Sequence, residues 1–211
     1  MDITVFLGAP GSGKGTQAKR LAESQGFSHF STGDMLRAAI KNGTPVGMNA
    51  KQFIDKGALV PDDTMIALIE STLAEQSSSN RILLDGFPRT VPQAKALDSK
   101  PSTRVGSAIF FEIPEKVLVE RLTGRRICKN CGSPYHVHFL PPKKNGKCDR
   151  CGGDLVQRAD DQEEVVKKRL EVFRQQNDQL LSYYGEVKKL HELDANQPVD
   201  TVERRLTELL Q

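Results

Sequence analysis

Nine residues, Gly8-Ala-Pro-Gly-Ser-Gly-Lys-Gly-Thr16, follow directly on the apolar run Ile3 to Leu7. The pattern G-x-x-x-x-G-K is that of a loop whose backbone N–H groups converge on a polyphosphate at the mouth of a helix. Gly8, Gly11, Gly13 and Gly15 let the chain approach an anion closely, and Lys14 adds a mobile cation for the outer phosphates. In the usual loop a Ser or Thr follows the lysine and meets Mg²⁺. Here Gly15 holds that place and Thr16 comes one residue late, so the spacing leaves open which group completes a Mg²⁺ shell. The plain alternative is a glycine-rich turn; the lysine and the strand and helix patterns on either side argue against it.

A second constellation is Cys128-x-x-Cys131 with Cys148-x-x-Cys151. Each pair can turn two thiolates toward one point, and two such knuckles make a closed tetrahedral Zn²⁺ site with no place left for substrate. The expected role is structural. Two disulfides, or a redox pair, are the alternatives that this spacing favours less.

The arginines fit phosphoryl transfer, which depends on positioning and on neutralising charge spread over the transferring group. Arg89 follows Leu84-Asp85-Gly86-Phe87-Pro88 at a strand end, where ligands bind in open α/β folds. Arg37 lies one helical turn past Asp34, Arg121 and Arg125 are one turn apart ahead of the cysteines, and Arg158 and Arg169 follow them. Taken singly, each is as readily a surface residue or an ion-pair partner. Asp85 closes its strand as a Mg²⁺-holding aspartate does, or caps the next turn. Thr90-x-x-Gln93 reads as a capping box; Asp161 reads as a helix cap and Asp160 as an arginine partner. His29, His136, His138 and His191 make no pair with a nucleophile. A phosphate acceptor is already ionised and needs no base, so the missing base points to another phosphate as acceptor.

The elements that would position these residues alternate. Short apolar runs at Ile3 to Leu7, Arg81 to Leu84, Ala108 to Ile113 and Leu190 to Leu193, with a short strand near Phe27 to Phe30, predict buried parallel strands. Helical spacing at Thr64 to Ala74 and Val117 to Leu122 falls between them, and Asp34 is expected to cap a helix from Met35. The fold class is therefore α/β, a parallel sheet covered by helices on both faces. Thr32 to Val60 reads as small helices broken at Asn42-Gly43 and Gly57, and Arg125 to Glu163 as a Pro, Gly, Cys and Lys-rich excursion. Ser77 to Asn80 is a loop. With 211 residues and a formal charge of +3, the chain suits one such domain with insertions, or two small domains, and is a poor candidate for a bulk nucleic-acid binder. No signal peptide and no membrane-length apolar run are read, so a cytoplasmic protein is expected.

Five segments together resemble the adenylate kinase family in its long-lid form with a zinc knuckle: Gly8 to Thr16, Ser31-Thr-Gly-Asp-Met-Leu-Arg37, Leu84 to Arg89, Leu122-Thr-Gly-Arg-Arg126 and Arg158-Ala-Asp-Asp-Gln-Glu-Glu164. In that family G-K-G-T is the normal loop. The resemblance implies a five-stranded P-loop core of residues 1–30, 61–124 and 164–211, a monophosphate-binding insert at 31–60 and a zinc-containing lid at 125–163. It implies ATP, taken with Mg²⁺, at Gly11, Ser12, Gly13, Lys14, Gly15, Thr16, Arg121, Arg125, Pro134, Tyr135, Arg158 and the backbone near Gln197, where the family often has lysine. It implies AMP at Thr32, Arg37, Ala58, Leu59, Val60, Gly86, Phe87, Pro88, Arg89 and Gln93, with Arg158 and Arg169 reaching the phosphates. Lys14, Asp85, Arg89, Arg125, Arg158 and Arg169 are then the catalytic set, with ATP, AMP and ADP as partners of a monomer that binds neither nucleic acid nor membrane. The rivals are another nucleoside monophosphate kinase, for UMP or CMP, a zinc-ribbon ATPase on nucleic acid, and a non-catalytic nucleotide-binding module.

Overall fold

Residues 1–77, 81–101 and 103–210 are described in a computed structural model. Of the loop expected at Ser77 to Asn80, residues Ser78, Ser79 and Asn80 lie outside them. The larger sheet is wholly parallel, in the order β2 (Ser28–Ser31), β3 (Arg81–Asp85), β1 (Asp2–Leu7), β4 (Arg104–Glu112) and β8 (Leu190–Asp194). Around it lie α1 (Lys14–Gln25), α2 (Thr32–Lys41), α3 (Pro45–Ile54), α4 (Asp62–Ala74), α5 (Val91–Asp98), α6 (Glu115–Thr123), α7 (Glu163–Glu186) and α8 (Val199–Leu209).

Alternation along β1 divides the core. Ile3, Val5 and Leu7 pack on one face with Met65, Ile69 and Leu73 of α4, Leu97 of α5 and Tyr184 of α7. Phe6 points the other way, onto Leu21 of α1 and Leu206 of α8. A central strand covered on both faces is largely apolar, and from Ile3 to Leu7 this one is buried with Thr4 as the single polar residue; each large buried side chain contributes roughly 1.5–3 kcal/mol. A third cluster, Ala9, Leu118, Leu122, Val166 and Leu170, ties the glycine-rich loop to α6 and α7.

Three local expectations differ. α2 starts at Thr32, because Ser31 is its cap and its Oγ accepts from the Asp34 N–H at 3.4 Å; Asp34 sits in the first turn. β4 begins at Arg104, ahead of its apolar run, since β1 pairs Asp2 with Arg104. Its first half, Arg104-Val-Gly-Ser107, offers Val105 as its one large apolar side chain and so carries little apolar signal. The cysteine excursion holds an antiparallel sheet, β6 (Pro134–His136), β5 (Arg125–Cys128) and β7 (Leu155–Val156), whose strands are too short and polar to show a period.

Candidate active site

At the carboxyl ends of β1 and β3 lies a cleft of about 680 Å³. Its floor is the glycine-rich loop. Gly11 has φ +84°, and a Cβ there would lie 2.8 Å from Leu122 Cγ, so only glycine lets α6 pack under the loop. Gly13, at φ 97°, turns the chain into α1. Above Gly15 a Cβ would stand 3.2 Å from Asp85 Oδ2. The carboxylate occupies the space in which the usual serine or threonine would begin, which is a physical reason for the glycine.

Lys14 is folded onto its own loop: Nζ donates to Gly8 O at 2.6 Å, Ala9 O at 2.7 Å and Ser12 Oγ at 3.1 Å. Burial pushes its pKa down to about 8, against the pull of Asp85 and helped by Arg89, Arg169 and Arg125. Arg89 is lowered to about 10, first by burial and then by Arg169. Arg158 is likewise lowered to about 10 by burial, then by Arg37 and Arg125. These cations disfavour one another's charge, so an anion among them would relieve the repulsion. Arg158 Nε is buried and has no partner among the described residues.

Carboxylates hold the guanidinium groups in place. Asp161, fully buried, takes Arg125 in a two-pronged pair, Nε to Oδ2 at 2.8 Å and Nη2 to Oδ1 at 2.5 Å, and Arg169 Nη1 at 3.2 Å. The cap expected of Asp161 is thus corrected: it lies in a 3₁₀ turn, Ala159–Asp161, and Gln162 is the N-cap of α7. Asp160 does meet Arg169, at 3.0 Å. Asp34 takes Arg37 at 2.6 Å and Arg158 at 3.4 Å; burial alone would raise its pKa, but these arginines hold it below the carboxylate range. Asp85 is lowered too, burial being outweighed by His29, 3.9 Å away, and Lys14.

Gly11 to Thr16, Arg121, Arg125, Pro134, Tyr135, Arg158 and Gln197 all line the large cleft, as do Arg37, Asp85, Gly86, Pro88, Arg89 and Arg169. A smaller adjoining cavity of about 70 Å³ is lined by Thr32, Ala58, Leu59, Val60, Gln93, Arg37, Arg89 and Arg169, so these three arginines stand at the join. Phe87 lines neither; its side chain is packed in the core. Gln93 is buried with both amide ends engaged, Oε1 accepting from Arg89 N–H at 2.8 Å and Nε2 donating to Asp62 Oδ1 at 2.7 Å. The cap itself is present, Thr90 Oγ1 accepting from Gln93 N–H at 3.3 Å. Asp62, which also accepts from the Thr90 hydroxyl at 3.0 Å, gave no local signal because its partners lie 28 and 31 residues on.

His136 reaches the cleft wall as a structural group. Its Nδ1 accepts from the N–H groups of His138 and Phe139, both at 3.0 Å, which leaves the proton on Nε2 to be donated to Glu120 O at 3.2 Å. Burial lowers its pKa, so the ring stays neutral and offers no free base.

The cysteine sulfurs lie within 4.8 Å of one another, Cys128 to Cys151 at 3.4 Å and Cys131 to Cys148 at 3.6 Å. Metal–sulfur bonds of about 2.3 Å in a tetrahedron put sulfurs roughly 3.8 Å apart, so this all-thiol set fits Zn²⁺.

A parallel sheet that carries a G-x-x-x-x-G-K loop at its carboxyl edge, with arginines gathered over it, defines a P-loop nucleotide phosphotransferase. The comparisons narrow that class. The family described as adenylate kinase matches residues 6–189. Curated adenylate kinases of Geobacillus sp. (strain WCH70), at 48% identity over 98% of this chain and 97% of the relative, and of Moorella thermoacetica, at 50% over 94% and 93%, are similar along nearly their whole lengths. That of Syntrophobacter fumaroxidans is 47% identical over 98% of both. The chain belongs to the adenylate kinase family, and its chemistry is nucleotide phosphoryl transfer.

Proposed function

We propose that the protein transfers the terminal phosphoryl group of ATP reversibly to AMP, giving two ADP, and so balances the adenine nucleotides of the cytoplasm. The observation that carries this is the join between the two cavities, where Arg37, Arg89 and Arg169 border both, with Lys14 and Arg158 on the larger side. A donor triphosphate on the loop and an acceptor monophosphate in the smaller cavity would bring their phosphates together at these cations.

Residues 1–30, 61–124 and 164–211 act as the core, 31–60 as the monophosphate insert and 125–163 as the lid. Lys14 exchanges the Gly8 and Ala9 carbonyls for phosphate oxygens. Arg89, Arg125, Arg158 and Arg169 neutralise the charge that spreads over the transferring group, while carboxylate partners keep Arg125, Arg158 and Arg169 aimed and the Gly86 carbonyl holds Arg89. No side chain takes a proton from the acceptor, because a phosphate is already ionised. Mg²⁺ bound with ATP would be held on the side of Asp85 and would add to the neutralisation of the phosphates. Phe139 and Leu140, exposed and lining the cleft, are apolar cover against water. The protein acts as a monomer on small nucleotides, with no nucleic acid or membrane partner; no helix among the described residues is long and apolar enough to cross a membrane.

Assays of AMP, UMP and CMP as acceptors, with ATP and Mg²⁺, test the reading. AMP is expected to lead in kcat/KM by orders of magnitude, since a site that hydrogen-bonds a base edge rejects one that leaves it unpaired. Equal turnover of UMP would move the assignment to a pyrimidine monophosphate kinase. Gln93→Ala is expected to narrow the preference, provided that Gln93 can release Asp62 or Arg89 to the base; a change in melting temperature alone would leave it a helix cap.

A further inference from the structure

Tyr135 stands at the cleft wall, yet its hydroxyl is engaged on the opposite side, in the cysteine cluster. The ring is buried against Cys128, Cys148 and Leu155. The oxygen accepts from the Asp149 N–H at 2.7 Å and lies 3.4 Å from Cys148 Sγ. A phenol has one proton; with the Asp149 N–H directed at its oxygen, that proton is free to point at the sulfur. The hydroxyl therefore joins β6, which follows the first knuckle, to the ligand and the next amide of the second. Ser133 Oγ also approaches a sulfur, Cys131 at 3.1 Å, but both of those groups are open to water, which competes for the contact.

We propose that Tyr135 is a positioning residue for the metal: its hydroxyl donates to the Cys148 thiolate, orients it and tightens Zn²⁺ binding, while nucleotide meets only other parts of the residue. The inference rests on the cysteines being a Zn²⁺ site and is independent of the acceptor. Four thiolates on a dication leave excess negative charge on sulfur. A buried donor that stabilises it is worth most where water is excluded, and loss of such an outer partner typically costs about 10- to 100-fold in metal affinity.

The test is Tyr135→Phe in the full chain, with Zn²⁺ affinity measured by competition with a chromogenic chelator. Expected is at least tenfold weaker binding, with the thiolate-to-metal band of the Co²⁺-substituted protein shifted. Two controls accompany it. Tyr183→Phe removes a hydroxyl bonded to Asp98, far from the sulfurs, and Leu155→Ala loosens the same cluster without touching the phenol. Metal affinity unchanged in Tyr135→Phe, or equally weakened in either control, overturns the proposal. A large rise in KM for ATP with metal affinity intact would return the hydroxyl to the nucleotide site and overturn it as well.

Discussion

The glycine-rich loop and the cysteine segment each hold polar groups round a point, and they do so by opposite means. The loop is supported from outside: buried strands lie beneath it, and Leu122 fills the space under Gly11. The cysteine segment has few buried apolar side chains, with Tyr135 and Leu155 beside the sulfurs, so a metal held by the four thiols would supply what a core would. A site with a core behind it can be specialised for its ligand. One without would draw much of its stability from what its side chains bind.

The comparison can be broken most directly at the core side. Arg89→Met is expected to lower kcat/KM at least a hundredfold, a loss of about 3 kcal/mol of transition-state stabilisation, with little change in melting temperature. Arg174, paired with Glu115 on the surface at 2.9 Å, is the control, and Arg174→Ala should cost almost nothing. A comparable loss in both would show that arginines serve the fold and not this cleft.

Metal removal sharpens the contrast from the other side. Cys148→Ser, or a chelator, should lower the melting temperature and separate the unfolding of residues 125–163 from the rest, because binding energy of the metal there is folding energy. Well below that transition, initial rates should persist in large part, since Asp160 and Asp161 hold Arg125 and Arg169 without help from the knuckles. A calorimetric scan and a rate measured in the cold decide it. Complete loss of turnover in metal-free protein that is still folded would give the zinc a catalytic part.

The smallest effect is a proton. Lys14, lowered to about 8, is part neutral at pH 8; phosphate oxygens would raise its pKa, so nucleotide binding should take up about half a proton there and almost none from this group at pH 6. Affinity then falls as pH rises through about 8. In the free protein the same shift makes stability rise with pH between about 8 and the ordinary lysine value, because the unfolded chain holds the extra proton in that window. Calorimetry in two buffers of different ionisation enthalpy measures the uptake, and Lys14→Met should abolish it.

What the sequence disclosed divides along the same line. The loop, the cysteine spacing and β1 were legible because each is a local pattern with one physical solution. Asp161 was misread because a cap and an ion pair share the same short-range spacing, and its partner Arg125 lies 36 residues away. The small antiparallel sheet was missed because strands of only 2 to 4 residues are too short to show a hydrophobic period. The parked position of Lys14 had no signal at all, being set by where the loop's own carbonyls fall.

The central place of β1 also bears on the order in which the chain is made. Its first neighbour, β3, begins at Arg81, the other, β4, at Arg104, and the far edge β8 only at Leu190. At bacterial or eukaryotic synthesis rates the hundred or so residues between β1 and β4 take roughly 5–20 s to emerge. Until β3 follows, Ile3-Thr-Val-Phe-Leu7, uncharged and rich in strand-forming residues, has neither neighbour, and until β4 follows it still has one edge unpaired. The segment that anchors the finished enzyme is thus the one that the nascent chain leaves longest in need of a chaperone.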